Sequence, residues 1–140
     1  PESVIDIASN AFYGCEALTL TSLPSGLTKI NGSTFQQCHN IALTALPSGI
    51  TSIGSYAFYP CKKLAITEMP SSVTEIKAYA FYGCTGLTTI TFKGTPTTID
   101  ANAFKNCTNI TTINVPWAEG EVANAPWGAT KATITYNYTA

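Results

Sequence analysis

IGSYAFYPC, residues 53–61, and IKAYAFYGC, residues 76–84, are two copies of one pattern that recurs with a 23-residue period. The cysteine of this pattern occurs five times in register, and a phenylalanine stands three residues before each cysteine. These positions are Cys15, Cys38, Cys61, Cys84 and Cys107, preceded by Phe12, Phe35, Phe58, Phe81 and Phe104. A strict period of this length is typical of a solenoid, in which each repeat forms one coil stacked on the previous one.

Each repeat also carries aliphatic residues and a proline at fixed distances from its cysteine. In the third repeat, Leu64 stands three residues after the cysteine, Pro70 nine and Ile76 fifteen. Together with the phenylalanine, these regular positions are expected to point inward. Stacked coils then bury one continuous core, because each coil covers the apolar side of the next.

Two short strands and one turn are expected in each coil. Apolar and polar residues alternate at 90–92 and 113–115, which predicts a strand in the segment after the cysteine. In the first three coils the apolar residues of this segment lie three apart, so a bulge or bend is expected there. A second strand is expected after the proline, at 72–76 and its equivalents. The segment 9–15 and its equivalents predict one helical or 3₁₀ turn.

The tail of the chain continues the register in a degenerate form. Trp127 stands where Phe104 predicts an aromatic residue, and the alternation over 132–138 predicts a last strand. We expect residues 1–116 to form the repeats and residues 117–140 a degenerate sixth coil that caps the core, within one structural domain. An aromatic platform for a ligand is the alternative interpretation of this tail. The residues suited to closing the core are Trp117, Trp127, Tyr136 and Tyr138.

The start of the chain falls in mid-repeat. Pro1 lies one repeat period before Pro24, and no Met precedes it. We therefore expect the chain to be a piece of a longer repeat array. Its 140 residues correspond to one domain.

The repeated stretches resemble the BspA-like class of leucine-rich repeats, and the likeness covers nearly the whole chain. Besides the two stretches quoted above, LPSGLTKI at 23–30 and MPSSVTEI at 69–76 carry the resemblance. The sequence departs from the pattern at Thr34, Lys93 and Pro96, where alanine, proline and a branched aliphatic residue are usual. The resemblance implies a right-handed, β-rich α/β leucine-rich-repeat solenoid with about five repeats and a degenerate C-terminal capping coil.

The resemblance also implies a function. Proteins of this class are extracellular or cell-surface proteins of bacteria, often from the gut or mouth, and of some parasitic protists. They are associated with adhesion to host matrix and to other cells, and similar repeats occur in phage-encoded proteins. We therefore expect a secreted, non-catalytic module that binds a protein or glycan on a host or neighbouring cell surface. The alternative is a passive spacer that displays another domain of a surface or phage protein.

The composition argues against two other classes of partner. Charged residues make up 11% of the chain, the net charge is −1, and all seven basic residues are lysines. Nucleic-acid binders usually carry a basic stripe with arginines, so a nucleic-acid partner is not expected. No apolar stretch approaches the roughly 18–20 residues that span a bilayer, so membrane insertion by this segment is not expected. The oligomeric state is left open.

The sequence predicts no catalytic, cofactor or metal site. The cysteines are odd in number and point in parallel directions in stacked coils, which disfavours disulfides, and no Cys-x-x-Cys pair favours a metal. We interpret them as a ladder of buried free thiols. The only histidine, His39, follows Cys38 directly, so the two side chains point apart, and we expect this histidine at the rim. The acidic residues show no repeated pairing.

Two surfaces are candidates for binding, and the first is a group of tyrosines. Tyr59 and Tyr82 directly follow the repeated phenylalanine, as does Tyr13, whereas Tyr56 and Tyr79 precede it by two residues. Coils three and four are therefore expected to set four tyrosines side by side. Tyrosine supplies contact area and a hydrogen-bonding tip, which favours a protein or glycan partner. The alternative is lateral packing between coils, in which the hydroxyl groups are buried.

The second candidate surface is the face of the strands that follow the cysteines. Its residues change from coil to coil, as the residues of a recognition face would, although any solvated strand face looks similar. These residues are Ser22, Ala45, Glu68, Thr91 and Asn114.

Overall fold

The computed structural model describes every residue from Pro1 to Ala140, and these residues form a parallel-strand solenoid without a helix. Eight short strands line it in two parallel sheets of four strands each. The first sheet consists, in order, of β1 (Lys29–Ile30), β2 (Ser52–Ile53), β4 (Glu75–Ile76) and β6 (Thr98–Ile99). The second consists of β3 (Glu68–Met69), β5 (Thr89–Phe92), β7 (Thr112–Asn114) and β8 (Thr133–Thr135).

Both predicted strands form, but they are short. The strand after the proline has only two residues in each coil that contains it. The strand after the cysteine is absent from the first two coils, where the three-residue spacing predicts a bend. It is longest in β5, where Lys93 replaces the usual proline. The backbone N–H of Lys93 donates to the Met69 carbonyl at 2.9 Å, a ladder bond that a proline could not make.

The predicted helical or 3₁₀ turn before the cysteine is wrong, because alternate backbone amides bond to the next coil instead of within a helix. In the third coil the Tyr59 N–H donates to the Tyr56 carbonyl at 3.2 Å, whereas the Phe58 N–H donates to Ala80 of the fourth coil at 2.8 Å. The residue two positions before the phenylalanine has a left-handed backbone, which turns the chain at this point. Its φ is 57–63° at Asn10, Ser33, Tyr56 and Tyr79.

The core is one cluster of 35 buried apolar residues that runs through the solenoid. At its centre, the five repeated phenylalanines form a stack, here called the phenylalanine ladder. Neighbouring ring centroids in the ladder lie 5.0–5.7 Å apart, and neighbouring ring planes are within 13° of parallel. The ladder consists of Phe12, Phe35, Phe58, Phe81 and Phe104.

The cysteines form the predicted ladder of free thiols beside the phenylalanines, buried at every step except Cys15 in the first coil. Each buried thiol donates to the phenylalanine carbonyl of the previous coil; Cys84, for example, donates to Phe58 at 3.0 Å. The other three bonds are 2.9–3.1 Å long. Burial raises the pKa of the Cys38 thiol to about 11 and that of Cys107 to about 12. The period therefore places at this position a small side chain that can also donate a hydrogen bond.

The sixth coil slips out of register. Strand β8 pairs with β7 so that Thr133 lies opposite Thr112, where the full 23-residue period would place Thr135. All other paired strands keep the full period. Trp127, expected in line with Phe104, is fully buried, but its ring packs against Phe92 and Trp117 rather than extending the phenylalanine ladder.

The two ends of the core differ in how they are covered. At the C-terminal end the two tryptophans are buried as members of the core, and Trp127 Nε1 donates to the Ala123 carbonyl at 2.8 Å. At the other end Ile5 is 72% exposed. Of the four residues predicted to cap the core, Trp117 and Trp127 are buried and Tyr136 and Tyr138 are half-buried, and the capping role stays a prediction.

Candidate functional site

The turn segments of coils three and four bring Tyr56, Tyr59, Tyr79 and Tyr82 together, and we call this group the tyrosine quartet. Tyr56 stacks on Tyr79 with ring centroids 5.3 Å apart, and Tyr59 stacks on Tyr82 at 4.6 Å. Within each coil the two rings meet edge to face, at 5.3 Å in coil three and 5.8 Å in coil four. The rings therefore form two columns along the solenoid axis that contact each other sideways.

The backbone under the quartet is an unfavourable place for a tyrosine. Tyr56 and Tyr79 both have a φ of 58°, which is uncommon for a bulky residue and costs on the order of 1–2 kcal/mol. Coils one and two place Asn10 and Ser33 at the same position. Asparagine adopts this conformation more readily, because its short polar side chain can bond locally. The first four coils use a left-handed residue here, whereas Asn102 of the fifth coil does not, and no coil needs a tyrosine for this conformation.

The hydroxyl groups of the quartet are largely unused by the protein itself. Tyr56 is 37% exposed, and the other three tyrosines are half-buried. The Tyr82 hydroxyl accepts a hydrogen bond from Asn106 Nδ2 at 2.5 Å, whereas those of Tyr56, Tyr59 and Tyr79 bond to no protein group. The half-buried hydroxyls of Tyr59 and Tyr79 are not enclosed either, so they face solvent.

Tyr13, which the sequence groups with these residues, is not part of the quartet. It is 48% exposed and its ring contacts none of the other tyrosines. The intervening coil places Gln36 at the equivalent position, and this residue separates Tyr13 from Tyr59. Tyr13 therefore occupies the same repeat position as Tyr59 and Tyr82 but stands alone.

The strand face is divided into two parts. Ser22, Ala45 and Glu68 are exposed, whereas Thr91 and Asn114 are half-buried and bonded to each other, with Asn114 Nδ2 donating to Thr91 Oγ1 at 3.1 Å. Ala45 and Glu68, but not Ser22, line an open groove of ≈ 410 Å³, here called the strand groove. Its polar lining includes Thr44, Thr67, Glu68, Ser71 and Lys93.

A third feature, a small polar cleft beside the quartet, was missed by sequence reasoning. It has a volume of ≈ 240 Å³ and lies between the fifth and sixth coils. We call it the lysine cleft, because two of its lining residues are Lys105 and Lys131. The available signal was positional: Lys105 lies one repeat period after Tyr82 and so continues the column of Tyr59 and Tyr82. The other polar lining residues include Asn102, Asn106 and Thr130.

The titratable residues do not assemble into a catalytic or metal-binding group. No three His, Cys, Asp or Glu side chains lie close enough together to hold a metal ion. His39, expected at the rim, is half-buried, and its Nδ1 atom is enclosed without a hydrogen-bond partner. Burial raises the pKa of the Cys61 and Cys84 thiols well above the usual value, which disfavours the reactive thiolate.

The repeat pattern identifies the family. A family model described as the BspA type leucine rich repeat region matches residues 1–124 in six copies. The chain therefore belongs to the family of BspA-type leucine-rich repeat proteins, as its sequence resemblance implies. The comparison with curated proteins found no match.

Solved structures of bacterial leucine-rich repeat proteins share the fold. A leucine-rich repeat protein of T. pallidum has a TM-score of 0.71 and 26% identity, over 96% of this chain and 64% of that one. A leucine-rich repeat protein of Bacteroides ovatus has a TM-score of 0.69 and 28% identity, over 81% of this chain and 30% of that one. A leucine rich cell surface protein of Faecalibacterium prausnitzii has a TM-score of 0.59 and 23% identity, over 76% and 38%.

This chain spans less than two thirds of the length of each of these three proteins. Membership in the family makes it a protein-interaction or scaffold module, and no enzymatic family is indicated. The structure contains no helix with the length and hydrophobicity needed to cross a bilayer.

Proposed function

We propose that this chain is a non-catalytic, extracellular binding module that adheres to a protein or glycan on a host, matrix or neighbouring cell, and that the tyrosine quartet is its contact surface. The observation that carries the proposal is that most hydroxyl groups of the quartet have no hydrogen-bond partner within the protein. Four tyrosines are gathered on one face, and three of their hydroxyls bond to no protein group. Tyrosine at an exposed cluster is typical of binding hot spots, because it combines area with a polar tip at low entropic cost.

The left-handed backbone adds to this support. A bulky side chain at φ 58° strains the backbone, and a smaller polar residue would lower that strain. The chain nevertheless places a tyrosine in this conformation twice, at Tyr56 and Tyr79. Strained positions of this kind concentrate at functional sites, where the side chain is needed for something other than the fold. The extracellular location is supported by the family and by the shared fold of the F. prausnitzii protein, which is a cell surface protein.

The alternative function is a passive spacer that displays another domain. A spacer needs a uniformly solvated surface of Thr, Ser, Lys and Glu, and much of the remaining surface of this chain is of that kind. The quartet is a cluster of aromatic rings that departs from such a surface, and it is therefore the place where the two functions can be separated. A buried set of tyrosine hydroxyls would have favoured the spacer.

The test is equilibrium binding of the chain to a panel of matrix proteins, mucin glycans and bacterial cells. The Tyr59→Ala/Tyr82→Ala variant is compared with wild type, and melting curves establish that both are folded. We expect saturable wild-type binding that falls about 30-fold or more in the variant, as removal of hot-spot residues does. Tyr13→Ala is the matched control, since it removes the same residue type from the same repeat position outside the quartet, and it should bind like wild type.

Absence of binding by the folded wild-type chain across the panel would favour the spacer. Binding that survives in the folded Tyr59→Ala/Tyr82→Ala variant would show that the contact surface lies elsewhere, with the strand groove as the next candidate.

A further inference from the structure

We propose that the lysine cleft binds an anionic group, a carboxylate or a sulfate, carried by a glycan whose neighbouring sugars lie along the tyrosine quartet. This inference rests on the proposed function and narrows its partner to an acidic glycan. It starts from the position of the cleft, which begins where the quartet ends. Asn106 Nδ2, on the cleft wall, donates to the Tyr82 hydroxyl at 2.5 Å, and Lys105 continues the column of Tyr59 and Tyr82.

The charge of the cleft selects an anion. Lys105 and Lys131 both line it, and none of its lining residues is acidic. Neither ammonium group is paired within the protein, because the one salt bridge of the chain joins Lys77 to Glu75, at 3.7 Å. Two unpaired cations beside neutral amides form a site for a carboxylate or sulfate oxygen, which can accept charge-assisted hydrogen bonds from both.

Gly128, which lines the cleft, lies against the backbone of Lys105. A Cβ atom at Gly128 would lie 2.7 Å from the Lys105 backbone nitrogen, and the φ of +89° also disfavours any other residue there. A side chain at this position would therefore push the fifth and sixth coils apart.

The repeat period places this glycine at the cleft, because Gly128 lies 23 residues after Lys105 and is its neighbour in the next coil. In the fourth coil the Phe81 N–H donates to Ala103, the residue before the next phenylalanine. In the fifth coil the Phe104 N–H donates instead to Trp127, which occupies the phenylalanine position itself. The hydrogen-bond register between the fifth and sixth coils therefore differs by one residue from that of the earlier coils, while Gly128 keeps its place next to Lys105.

The lining favours a glycan over a peptide. Besides the lysines, it presents the amides of Asn102 and Asn106 and the hydroxyl of Thr130, and its only apolar side chain is Cys107. The Cys107 thiol already donates to the Phe81 carbonyl at 2.9 Å and is buried. A protein partner usually inserts an apolar or aromatic anchor into a dry pocket, and this cleft offers none. Amides, hydroxyls and ammonium groups instead match the hydroxyls and acid groups of a sugar chain.

The test compares three polysaccharides on the wild-type chain: neutral mannan, hyaluronan with one carboxylate per disaccharide, and chondroitin sulfate with a carboxylate and a sulfate. Polyglutamate carries carboxylate groups on a polypeptide instead of a glycan. We expect the acidic glycans to bind at least about tenfold more tightly than mannan and polyglutamate, with an affinity that falls as salt rises. The Lys105→Gln/Lys131→Gln variant should lose this preference by about the same factor.

Lys29→Gln/Lys93→Gln is the matched control. It carries the same change of net charge, but Lys29 lies on β1 and Lys93 on the strand groove, so its binding should equal that of wild type. Loss of binding in this control rather than in the cleft variant would overturn the inference and assign the acid group to the strand groove. Melting curves on both variants establish that each is folded.

Two further results would overturn the inference while the proposed function stands. One is equal binding of mannan and the acidic glycans that still depends on Tyr59 and Tyr82. The other is binding of polyglutamate or a matrix protein in place of all three glycans. Failure of the proposed function is a separate result, namely acidic-glycan binding that is unchanged in the folded Tyr59→Ala/Tyr82→Ala variant.

Discussion

The phenylalanine ladder and the tyrosine quartet are both stacks of aromatic rings built on the same repeat period, yet they differ in extent, burial and bonding. The ladder runs through five coils and is fully buried in four of them, with nearly parallel rings. The quartet occupies only coils three and four, stays partly exposed, and leaves three hydroxyls free. The phenylalanines, which every repeat carries, hold the coils together. The tyrosines, which only two coils carry as a cluster, are available for a partner.

The largest expected effect is on the ladder. Phe58→Ala removes a fully buried ring that stacks on both neighbours, and should lower the free energy of unfolding by about 3–5 kcal/mol through lost burial and a residual cavity. Phe12→Ala removes the half-buried end of the same ladder and should cost clearly less. Denaturant unfolding of both variants measures the difference, and equal losses would contradict a ladder whose stabilising effect depends on burial.

The thiols beside the ladder predict a loss of stability in alkali. Above the unfolded thiol pKa of about 8.5 the unfolded chain releases protons that the folded chain keeps, so it binds fewer protons and stability falls as pH rises. The stabilising effect is complete below that pH and disappears as pH rises through the folded values of about 11 at Cys38 and about 12 at Cys107. Each deeply buried thiol should contribute a loss of about 1.4 kcal/mol per pH unit in this range.

Unfolding curves from neutral pH to about pH 11 measure this slope. Cys84→Ala removes one titrating thiol and should reduce the slope, whatever its effect on stability at neutral pH. An unchanged slope would show that the buried thiols do not titrate as their burial requires.

An intermediate effect on stability is expected at Lys93. The other repeats have proline at this position, but here the backbone N–H forms a strand hydrogen bond. Lys93→Pro restores the residue usual in the other coils and removes the N–H that donates to Met69. We expect a loss of about 1 kcal/mol from this missing ladder bond. Lys93→Gln keeps the donor and should stay close to wild type in the same unfolding assay. Equal stability of the two variants would mean that the longer β5 strand contributes nothing.

The smallest effect is expected from removing hydroxyls alone. Tyr59→Phe/Tyr82→Phe keeps the stacked rings and removes two hydroxyls, of which only that of Tyr82 is bonded within the protein, to Asn106. The free energy of unfolding should change by no more than about 0.5 kcal/mol. Binding on the panel should nevertheless weaken, because the hydroxyl tips are the polar part of the proposed contact. A large loss of stability would show that these hydroxyls stabilise the folded protein, which would contradict the prediction.

The sequence predicts much of this fold because periodicity reports on burial directly. The repeat period, the phenylalanine and cysteine positions, the last strand and the grouping of four tyrosines follow from residues that occupy equivalent places in stacked coils. The division into repeats at 1–116 and a cap at 117–140 stays a prediction. The turn was mispredicted because local propensity does not show that alternate amides bond to the next coil.

The candidate site was less predictable where it depends on the sixth coil. Trp127 and Gly128 follow Phe104 and Lys105 by one full period, but the Phe104 N–H bonds to Trp127 itself rather than to the residue before it, and the lysine cleft lies beside Gly128. The sequence does not reveal this one-residue change of hydrogen-bond register, because Trp127 and Gly128 keep the 23-residue spacing. Charge did not identify the cleft either, since the sequence contains only seven lysines and they are scattered along it.

The central claim is tested most directly by giving coils three and four the residues of coil two. The variant Tyr56→Ser/Tyr59→Gln/Tyr79→Ser/Tyr82→Gln places at each quartet position the residue that Ser33 or Gln36 already provides. Unfolding and panel binding are then measured on the same sample. We predict a free energy of unfolding within about 1 kcal/mol of wild type, because lost stacking is offset by relief of the left-handed tyrosines, together with loss of saturable binding. A folded variant that binds like wild type, or one destabilised as strongly as Phe58→Ala, would contradict the account.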